Sequence, residues 1–229
     1  MLALLYDVHG NLPALEAVLD DAREHGAERY LLGGDYALFG GWPAETVERL
    51  RELEPATWIR GNGERWTADP QSAPEEVRPA IVACREALGD TTVVQLADLP
   101  ERLEHEDGVL VCHASPVSDV RSFLPEPADD EAELLEGVTA RRIIFGHTHL
   151  PFRRMAGNTE LVNPGSVGMP LDGDHRAAYA LVHPDGTIEH RRAAYDHAEA
   201  VARLREVAEG ADWGDRVAGR IERAGHDDD

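Results

Sequence analysis

Short apolar runs alternate with helical stretches over the first 60 residues of the chain. Apolar runs predict strands at about 2–6, 29–32 and 57–60, while apolar residues at helical spacing predict helices over about 12–25 and 43–53. A strand–helix–strand–helix–strand order with short connections implies parallel strands joined by right-handed crossovers. This part of the chain therefore predicts an α/β fold.

The pattern changes along the second half of the chain. Residues 71–98 are helical but less regular, a Pro- and Ser-rich loop spans 114–127, and a short acidic helix spans about 129–137. Alternation of apolar and polar residues predicts seven further strands, at 101–106, 109–113, 142–145, 152–156, 159–162, 178–182 and 187–192. Turn sequences typical of hairpins join three pairs of them: Asp107-Gly108, Gly157-Asn158 and Asp185-Gly186.

The chain shows no internal repeat and no linker long enough to separate domains. Residues from about 195 to 224 are helical, and the last four, His226-Asp227-Asp228-Asp229, form an acidic tail. We therefore expect a single domain over residues 1–229, with a core of about 1–195 followed by the helical segment and the tail.

Composition and charge limit the classes of function. The chain has 229 residues, of which 42% are apolar, enough to form a core without disulfides or a structural metal. Its 22 basic residues, all arginine, and its 44 acidic residues give a formal net charge of −22. Such a surface repels polyanions and lacks the basic clusters that bind anionic membranes, so long nucleic acid and membranes are disfavoured as partners.

Cysteine content and the start of the chain suggest a location. Cys84 and Cys112 are too few for a disulfide framework and indicate two reduced, buried thiols. The opening run MLALLY is short, lacks basic residues and ends at Asp7, and no run approaches the about 18 apolar residues of a membrane span. We expect a cytoplasmic protein, and a homodimer is left open.

Polar side chains follow five of the predicted strands at their carboxyl ends. Open α/β sheets bind their ligands at this edge, so the side chains should converge there. They are Asp7, His9, Asp35, Asn62, His113, His147 and His149. Each motif alone has an ordinary explanation, because an Asp-x-His segment is usually a loop, Asp35 could cap a turn and His113 could be a core histidine. Their joint occurrence at five strand ends favours a metal site.

The mixture of imidazole and carboxylate groups indicates which metals would bind. It suits Mn, Fe, Zn, Co or Ni and is poor for Ca or Mg alone. Seven ligands exceed what one such ion takes from a protein, but two ions would each receive about four if one carboxylate bridged them. Two ions about 3.5–4 Å apart can bind a phosphoryl group and a bridging hydroxide together, which is the chemistry of phosphoester hydrolysis.

The same residues carry a family resemblance. Their order resembles that of the calcineurin-like metallophosphoesterases and occurs here as Asp7-Val8-His9, Gly34-Asp35, Gly61-Asn62, His113 and Gly146-His147-Thr148-His149. The segments Cys112-His113-Ala114-Ser115-Pro116 and Asn163-Pro164-Gly165-Ser166-Val167-Gly168 further resemble the small bacterial phosphodiesterases of the YfcE type. The resemblance covers roughly residues 1–195.

The resemblance implies a fold and a set of roles. The fold is a four-layer α/β/β/α sandwich of two mixed sheets with helices outside. The first metal would bind Asp7, His9 and His149, the second would bind Asn62, His113 and His147, and Asp35 would bridge the two ions. Asp35, Asn62 and His113 would be the catalytic residues. The family uses Mn, Fe, Ni or Zn, and we favour Mn.

One position departs from the family pattern. Many members follow the Gly-Asn pair with a His that contacts the substrate phosphate, whereas this chain has Gly61-Asn62-Gly63-Glu64. An alkoxide leaving group then receives less help, by about 10²–10⁴-fold where such a donor acts. We hypothesise that slow, diester-type or activated substrates are favoured.

Other side chains are weaker candidates for contacts with substrate or ligands. Arg65 could bind a substrate phosphate or pair with Glu64, and Arg153 and Arg154 could face the cleft. Asn11 and Ser166 could orient ligands or simply form turns. Trp42, Trp58 and Trp66 all suit the core, and among them only Trp66 could instead stack on a base. The 114–127 loop, with Ser115 and Asp119, is expected to line the pocket.

Three classes of function follow from these observations. The first is a dinuclear metal-dependent phosphoesterase acting on a phosphodiester or a nucleotide-type substrate, including a dinucleoside polyphosphate, with a phosphomonoester or phosphoprotein as the second choice. The second is a non-catalytic protein-interaction scaffold, since this fold also occurs in the retromer complex, although such modules tend to lose ligands. The third is a metal sensor or store, which would bind two ions without hydrolysing any ester.

Overall fold

The computed structural model describes residues 1–105 and 107–226, which contain ten strands. These are β1 (Leu2–Leu5), β2 (Arg29–Leu32), β3 (Ala56–Trp58), β4 (Arg102–Glu104), β5 (Val109–Cys112), β6 (Arg142–Ile144), β7 (Phe152–Ala156), β8 (Thr159–Asn163), β9 (Ala177–Val182) and β10 (Ile188–Ala193). The same residues contain seven α-helices: α1 (Leu12–Glu24), α2 (Pro43–Arg51), α3 (Asn62–Ala68), α4 (Arg78–Ala97), α5 (Glu131–Leu134), α6 (His197–Val207) and α7 (Asp212–Arg223).

The strands form two mixed sheets of five strands each. The first has the order β10-β9-β1-β2-β3 and the second has the order β4-β5-β6-β8-β7. Strands β1, β2 and β3 are parallel, as the strand–helix alternation predicts, and β5, β6 and β8 are parallel in the second sheet. All three predicted hairpins are present as antiparallel pairs. Parallel strands within each sheet bring their carboxyl ends to a common edge.

Three apolar clusters hold the layers together. Side chains such as Leu4, Val111 and Ile144 fill the space between the two sheets. A larger cluster packs α1, α2, α4, α6 and α7 against the outer face of the first sheet. The outer face of the second sheet packs against Leu134 of α5 and Phe123 of the preceding loop. The predicted arrangement of two mixed sheets with helices outside is confirmed, and a loop with one short helix provides most of its fourth layer.

Several predicted elements differ in extent. The helix expected over 71–98 begins at Arg78 and bends at Gly89, whose φ of +73° interrupts the helical backbone, and short 3₁₀ turns precede it. Helix α5 has four residues where about nine were expected. The helical segment over 195–224 consists of two helices, α6 and α7. Of the acidic tail, residues 227–229 lie outside the described part of the chain.

Among the described residues, no helix is both long enough and apolar enough to cross a membrane.

Candidate metal centre

The seven side chains expected to converge do lie together, at the carboxyl ends of five strands. They are Asp7 and His9 after β1, Asp35 after β2, Asn62 after β3, His113 after β5, and His147 and His149 after β6. Six of them are buried and His147 is half-buried. We refer to these seven residues as the cluster.

Five members of the cluster have a left-handed backbone, which non-glycine residues seldom adopt. Their φ angles are +54° at Asp7, +49° at His9, +56° at Asp35, +68° at His147 and +60° at His149. Such conformations are strained and tend to occur where a site requires them. They also supply the bend that lets His147 and His149, two residues apart, both face the cluster.

The loops of the cluster approach one another so closely that Gly34 has no room for a side chain. Its φ is +95°, and a Cβ there would lie 2.5 Å from the Gly61 nitrogen and 2.8 Å from His113 Nδ1. Glycine at this position therefore permits the loops after β2, β3 and β5 to meet.

The hydrogen bonds of three histidines fix which ring nitrogen faces the cluster. Their Nδ1 atoms lie against backbone carbonyl oxygens: His9 against Leu38 (2.9 Å), His113 against Gly33 (2.8 Å) and His149 against Met169 (2.6 Å). A carbonyl accepts, so Nδ1 carries the proton and the Nε2 lone pair points inward. Metal-binding histidines are commonly oriented in this way.

These lone pairs face other acceptors. The Nε2 atoms of His9 and His149 are 3.0 Å apart. Asp7 Oδ1 is buried and has no hydrogen-bond partner among the described residues, yet it lies 3.6 Å from His149 Nε2 and 3.8 Å from His113 Nε2. A buried carboxylate oxygen without a partner is costly, and a cation between these atoms would satisfy it. The residues present therefore fit a metal ion.

Two groups in the cluster are compact enough to hold an ion. One is Asp7, His9 and His149, the set implied for the first metal, and the other is Asp7, Asp35 and His113. The two oxygens of Asp35 face different histidines, since Oδ2 lies 3.9 Å from His9 Nε2 and Oδ1 lies 3.6 Å from His113 Nε2. Both aspartates thus lie between the two groups, whereas the resemblance gives the bridging position to Asp35.

Asn62 and His147 complete the side of the cluster next to His113. The Asn62 amide directs one polar atom at His113 Nε2 (3.0 Å), His147 Nδ1 (2.9 Å) and the Asp119 carbonyl oxygen (3.0 Å). Its other polar atom lies 3.3 Å from the Gly63 nitrogen. Hydrogen bonding alone places the amide nitrogen toward the three acceptors, while a cation would draw the amide oxygen to that position.

Burial favours the neutral form of two of the imidazoles. It lowers the pKa of His147 to about 4, with a further contribution from His113, and it lowers the pKa of His9, to which His149 adds. At His113 the charges of Asp35 and Asp7 outweigh burial and raise the pKa. Neutral imidazole is the form that binds metal.

Glu64 is a functional candidate that the sequence analysis missed. It is buried and accepts hydrogen bonds from the backbone nitrogens of Asp35, Tyr36 and Gly61, each at 2.8 Å. Burial and the nearby Asp35 carboxylate raise its pKa to about 7. The sequence did contain a signal, because Glu at the third position of a helix that begins after Gly61 matches half of a capping box.

Gly63 lies against the Asp35 carboxylate. Its N–H donates to Asp35 Oδ1 at 2.7 Å, and a Cβ would lie 2.8 Å from the same oxygen. A side chain at this position would therefore require the Asp35 carboxylate to shift.

Asn11 and Ser166 hold the backbone around Asp7. Ser166 Oγ donates to the Asp7 carbonyl oxygen at 2.7 Å. Asn11 caps α1 through Ala14 and donates to the carbonyl oxygen of Gly168, whose own N–H donates to the Asp7 carbonyl. Within the described part of the chain, neither side chain forms a hydrogen bond with a side chain of the cluster, so any effect on Asp7 passes through the backbone.

The arginine candidates already have partners. Arg65 donates to both carboxylate oxygens of Asp119 (2.6 and 2.7 Å) and to Ser72 Oγ (3.1 Å), and not to Glu64 as one alternative suggested. Arg153 pairs with Glu160, and Arg154 pairs with Glu131. Contact between any of these arginines and a substrate stays a prediction.

A cavity of about 770 Å³ opens beside His113. It is lined by Arg65, Glu101, Arg102, His113, Ser115, Pro116, Val117, Ser118 and Asp119. The 114–127 loop supplies one wall, including the Ser115 and Asp119 expected there. Trp66 is not among the lining residues; it packs against the core of the first sheet, so this wall offers no ring for a base.

Comparison with known proteins agrees with this geometry. Residues 1–187 match a sequence profile of the calcineurin-like phosphoesterase superfamily domain, a range that includes the whole cluster. The crystal structure of a metallophosphoesterase from Sphaerobacter thermophilus is 27% identical, covers 97% of this chain and 98% of its own, and has a TM-score of 0.82. Phosphodiesterase YfcE of Escherichia coli K12 is 27% identical over 197 residues, 81% of this chain and 89% of its own. Uncharacterized protein MJ0912 of Methanocaldococcus jannaschii is 29% identical over 228 residues, 89% of this chain and 91% of its own.

Proposed function

The chain belongs to the calcineurin-like phosphoesterase superfamily, and on that premise we propose that it hydrolyses a small phosphodiester or nucleotide-type ester with two divalent transition-metal ions. Family membership makes it a phosphoric ester hydrolase. The observation that supports two bound ions is the convergence of inward-facing ring nitrogens on Asp7 Oδ1, a buried oxygen with no hydrogen-bond partner in the described chain.

We assign the cluster to two metal positions. Asp7, His9 and His149 would hold one ion, and Asn62, His113 and His147 would hold the other, with Asp35 between them. The donor set suits Mn, Fe, Ni, Zn or Co, and we favour Mn. When bound, such ions neutralise charge on phosphoryl oxygens and lower the pKa of bound water.

The residues of the chain prepare the site for this chemistry. The carbonyl partners of His9, His113 and His149 keep the Nε2 lone pairs aimed inward before any ion arrives. The Gly63 N–H holds one Asp35 oxygen in place. The Asn62 amide can rotate to present oxygen in place of nitrogen, which adjusts the second position without moving the backbone.

Two features favour a small ester with a good leaving group. Gly63 offers no imidazole to protonate a poor leaving group, so substrates whose leaving group departs readily are cleaved best. A net charge of −22 opposes the approach of a long polyanion more strongly than that of a small ester, which carries far fewer charges.

The test is hydrolysis of bis-p-nitrophenyl phosphate by chelator-stripped protein, with and without Mn²⁺, beside p-nitrophenyl phosphate. We expect Mn²⁺ to restore cleavage, with the diester cleaved faster than the monoester. The variant Asp35→Asn should lose at least about 10²-fold in kcat, because it removes a carboxylate shared by both positions.

The control for that variant is Asp90→Asn, since the Asp90 side chain is 91% exposed and pairs with Arg85 on the surface. Wild-type activity in this control would show that the loss of one carboxylate charge elsewhere in the chain does not by itself lower kcat. Full activity in Asp35→Asn, or cleavage that needs no metal, would refute the mechanism.

A further inference from the structure

The loop after β5 lies directly over Asn62. The backbone carbonyl oxygen of Asp119 is 3.0 Å from the Asn62 amide atom that also faces His113 Nε2 and His147 Nδ1. An amide nitrogen has two hydrogens, so it cannot satisfy three acceptors at once. If the amide oxygen faces them instead, its spacing from the Asp119 carbonyl is favourable only when a cation lies close to both oxygens. The position of this carbonyl therefore affects how well the Asn62 amide can bind a metal ion.

The side chain of the same residue ties the loop to helix α3. Arg65 Nε donates to Asp119 Oδ2 at 2.6 Å and Arg65 NH2 donates to Asp119 Oδ1 at 2.7 Å, a planar two-bond contact. Both side chains are less than one-third exposed. Arg65 lies one turn after Asn62 on α3, so the contact joins the loop to the helix that carries a cluster residue.

The tied part of the loop is stiff and also forms a wall of the cavity. The Ser115 nitrogen donates to the Ser118 carbonyl oxygen at 2.9 Å, and Ser118 Oγ accepts from the Arg121 nitrogen at 2.9 Å. On the other side, Arg102 donates to the Pro116 carbonyl oxygen at 2.9 Å. Loss of the contact with α3 would leave this turn held from the β4 side and free to shift as a unit.

We propose that the Arg65–Asp119 contact is a latch that sets the affinity of the metal position formed by Asn62, His113 and His147 and fixes the adjacent wall of the substrate cavity. The inference rests on the proposed dinuclear function. Arg65 and Asp119 are positioning residues here: their side chains act through the loop and α3 rather than on the reacting atoms. All three guanidinium nitrogens of Arg65 donate within the protein, so this role also accounts for a half-buried arginine beside the cavity.

The experiment is calorimetric titration of the chelator-stripped chain with Mn²⁺. The wild type should bind two ions. In Asp119→Asn and Arg65→Gln, one ion should bind roughly 10–100-fold more weakly, the usual effect of removing a group that orients a ligand, while the other ion binds as before. Arg65→Lys keeps the charge but loses the two-bond fork, so its loss should be intermediate. KM for bis-p-nitrophenyl phosphate should rise most in Asp119→Asn and Arg65→Gln and less in Arg65→Lys.

The matched control is Arg121→Gln, because Arg121 lies in the same loop but pairs with Asp130 and Glu133 on the surface. It should bind both ions with wild-type affinity. Two ions of unchanged affinity in Asp119→Asn and Arg65→Gln would overturn the latch while leaving the proposed function intact. Weakening of both ions alike would also overturn it, since the latch acts on one position. A wild type that binds fewer than two ions would refute the dinuclear function, and the latch with it.

Discussion

Glu64 connects two loops of the cluster through the backbone. Its Oε2 accepts from the Asp35 and Gly61 nitrogens, and its Oε1 accepts from the Tyr36 nitrogen. The loop after β2 and the start of α3 are therefore held by one carboxylate, which is 4% exposed. A carboxylate can accept all three bonds, whereas an amide has one oxygen and would direct its NH₂ group at an N–H donor.

We expect Glu64→Gln to destabilise the fold by about 1–3 kcal/mol, the cost of leaving a buried donor without an acceptor. Mn²⁺ should bind more weakly as well, because Asp35 and Asn62 lose their common support. Chemical unfolding and metal titration measure the two effects. Glu48→Gln, an exposed change on α2, provides the control and should alter neither quantity. Wild-type stability in Glu64→Gln would show that the three bonds contribute little.

Residue types at strand ends were sufficient to predict the members of the cluster, because each is a recognisable polar residue after an apolar run. Their backbone conformations were not predictable, since nothing in the sequence marks Asp7 or His149 as left-handed. The ion-pair partners of the charged residues beside the cluster could not be predicted from the sequence either. Arg65 and Asp119 are 54 residues apart, and only the folded chain shows that they pair.

At the scale of elements, α1 is joined to the first sheet by a partly buried ion pair. Asp21, near the end of α1, accepts from Arg191 of β10 through both carboxylate oxygens (2.8 and 3.1 Å) and from the Tyr179 hydroxyl of β9. Hydrogen bonds from Arg191 hold the pKa of Asp21 below its usual range despite partial burial. The carboxylate therefore joins a helix to two strands of the sheet.

This contact makes a pH-dependent contribution to stability. The pKa of Asp21 is lower in the folded state than in the unfolded state. Its contribution to the free energy of unfolding is therefore complete above the unfolded-state pKa of about 4, and it is lost as the pH falls through the folded-state pKa. Asp21→Asn should reduce the free energy of unfolding by roughly 1–2 kcal/mol near pH 7, and its difference from wild type should shrink toward about pH 3. Urea unfolding across this range measures it.

The matched control for the helix contact is Asp20→Asn, whose side chain is 73% exposed and pairs with Arg23 within the same helix. It should change stability little at any pH. A difference between Asp21→Asn and wild type that stays constant down to about pH 3 would contradict the assignment of the effect to the Asp21 charge.

Elements with a strong local signal were predicted well, and those shaped by tertiary contacts were not. The hairpins and the parallel strands of the first sheet follow from alternation and short connections. Helix α3 was missed because Gly61-Asn62-Gly63 has the composition of a turn, while Glu64 and the close Asp35 carboxylate make a helix start of it. The bend at Gly89 was likewise hidden, since a glycine inside a helical pattern is often tolerated.

For the whole molecule, the balance of charge sets two effects against each other. Many arginines are paired, as in Arg142–Glu160, Arg191–Asp21 and Arg205–Glu222. With 44 acidic and 22 basic residues, however, 22 carboxylates have no basic counterpart. Surface pairs contribute about 0–1 kcal/mol each and weaken in salt, whereas the repulsion among excess carboxylates is long-ranged and disfavours the compact state. Salt screens both the attraction within ion pairs and the repulsion among carboxylates. Whether added salt raises or lowers the stability of the fold therefore shows which of the two is larger.

We expect repulsion to dominate, because it acts between every pair of excess charges and unfolding relieves it by increasing their separation. The midpoint of thermal unfolding should therefore rise between about 0.01 and 1 M NaCl, over which the Debye length falls from about 30 to 3 Å. Each 1 kcal/mol of repulsion removed should raise the midpoint by roughly 2–4 °C for a chain of this size. Choline chloride should give the same rise, since screening depends on ionic strength; a rise specific to NaCl would indicate bound sodium instead. A midpoint that falls with salt would mean that the arginine pairs outweigh the excess of carboxylates.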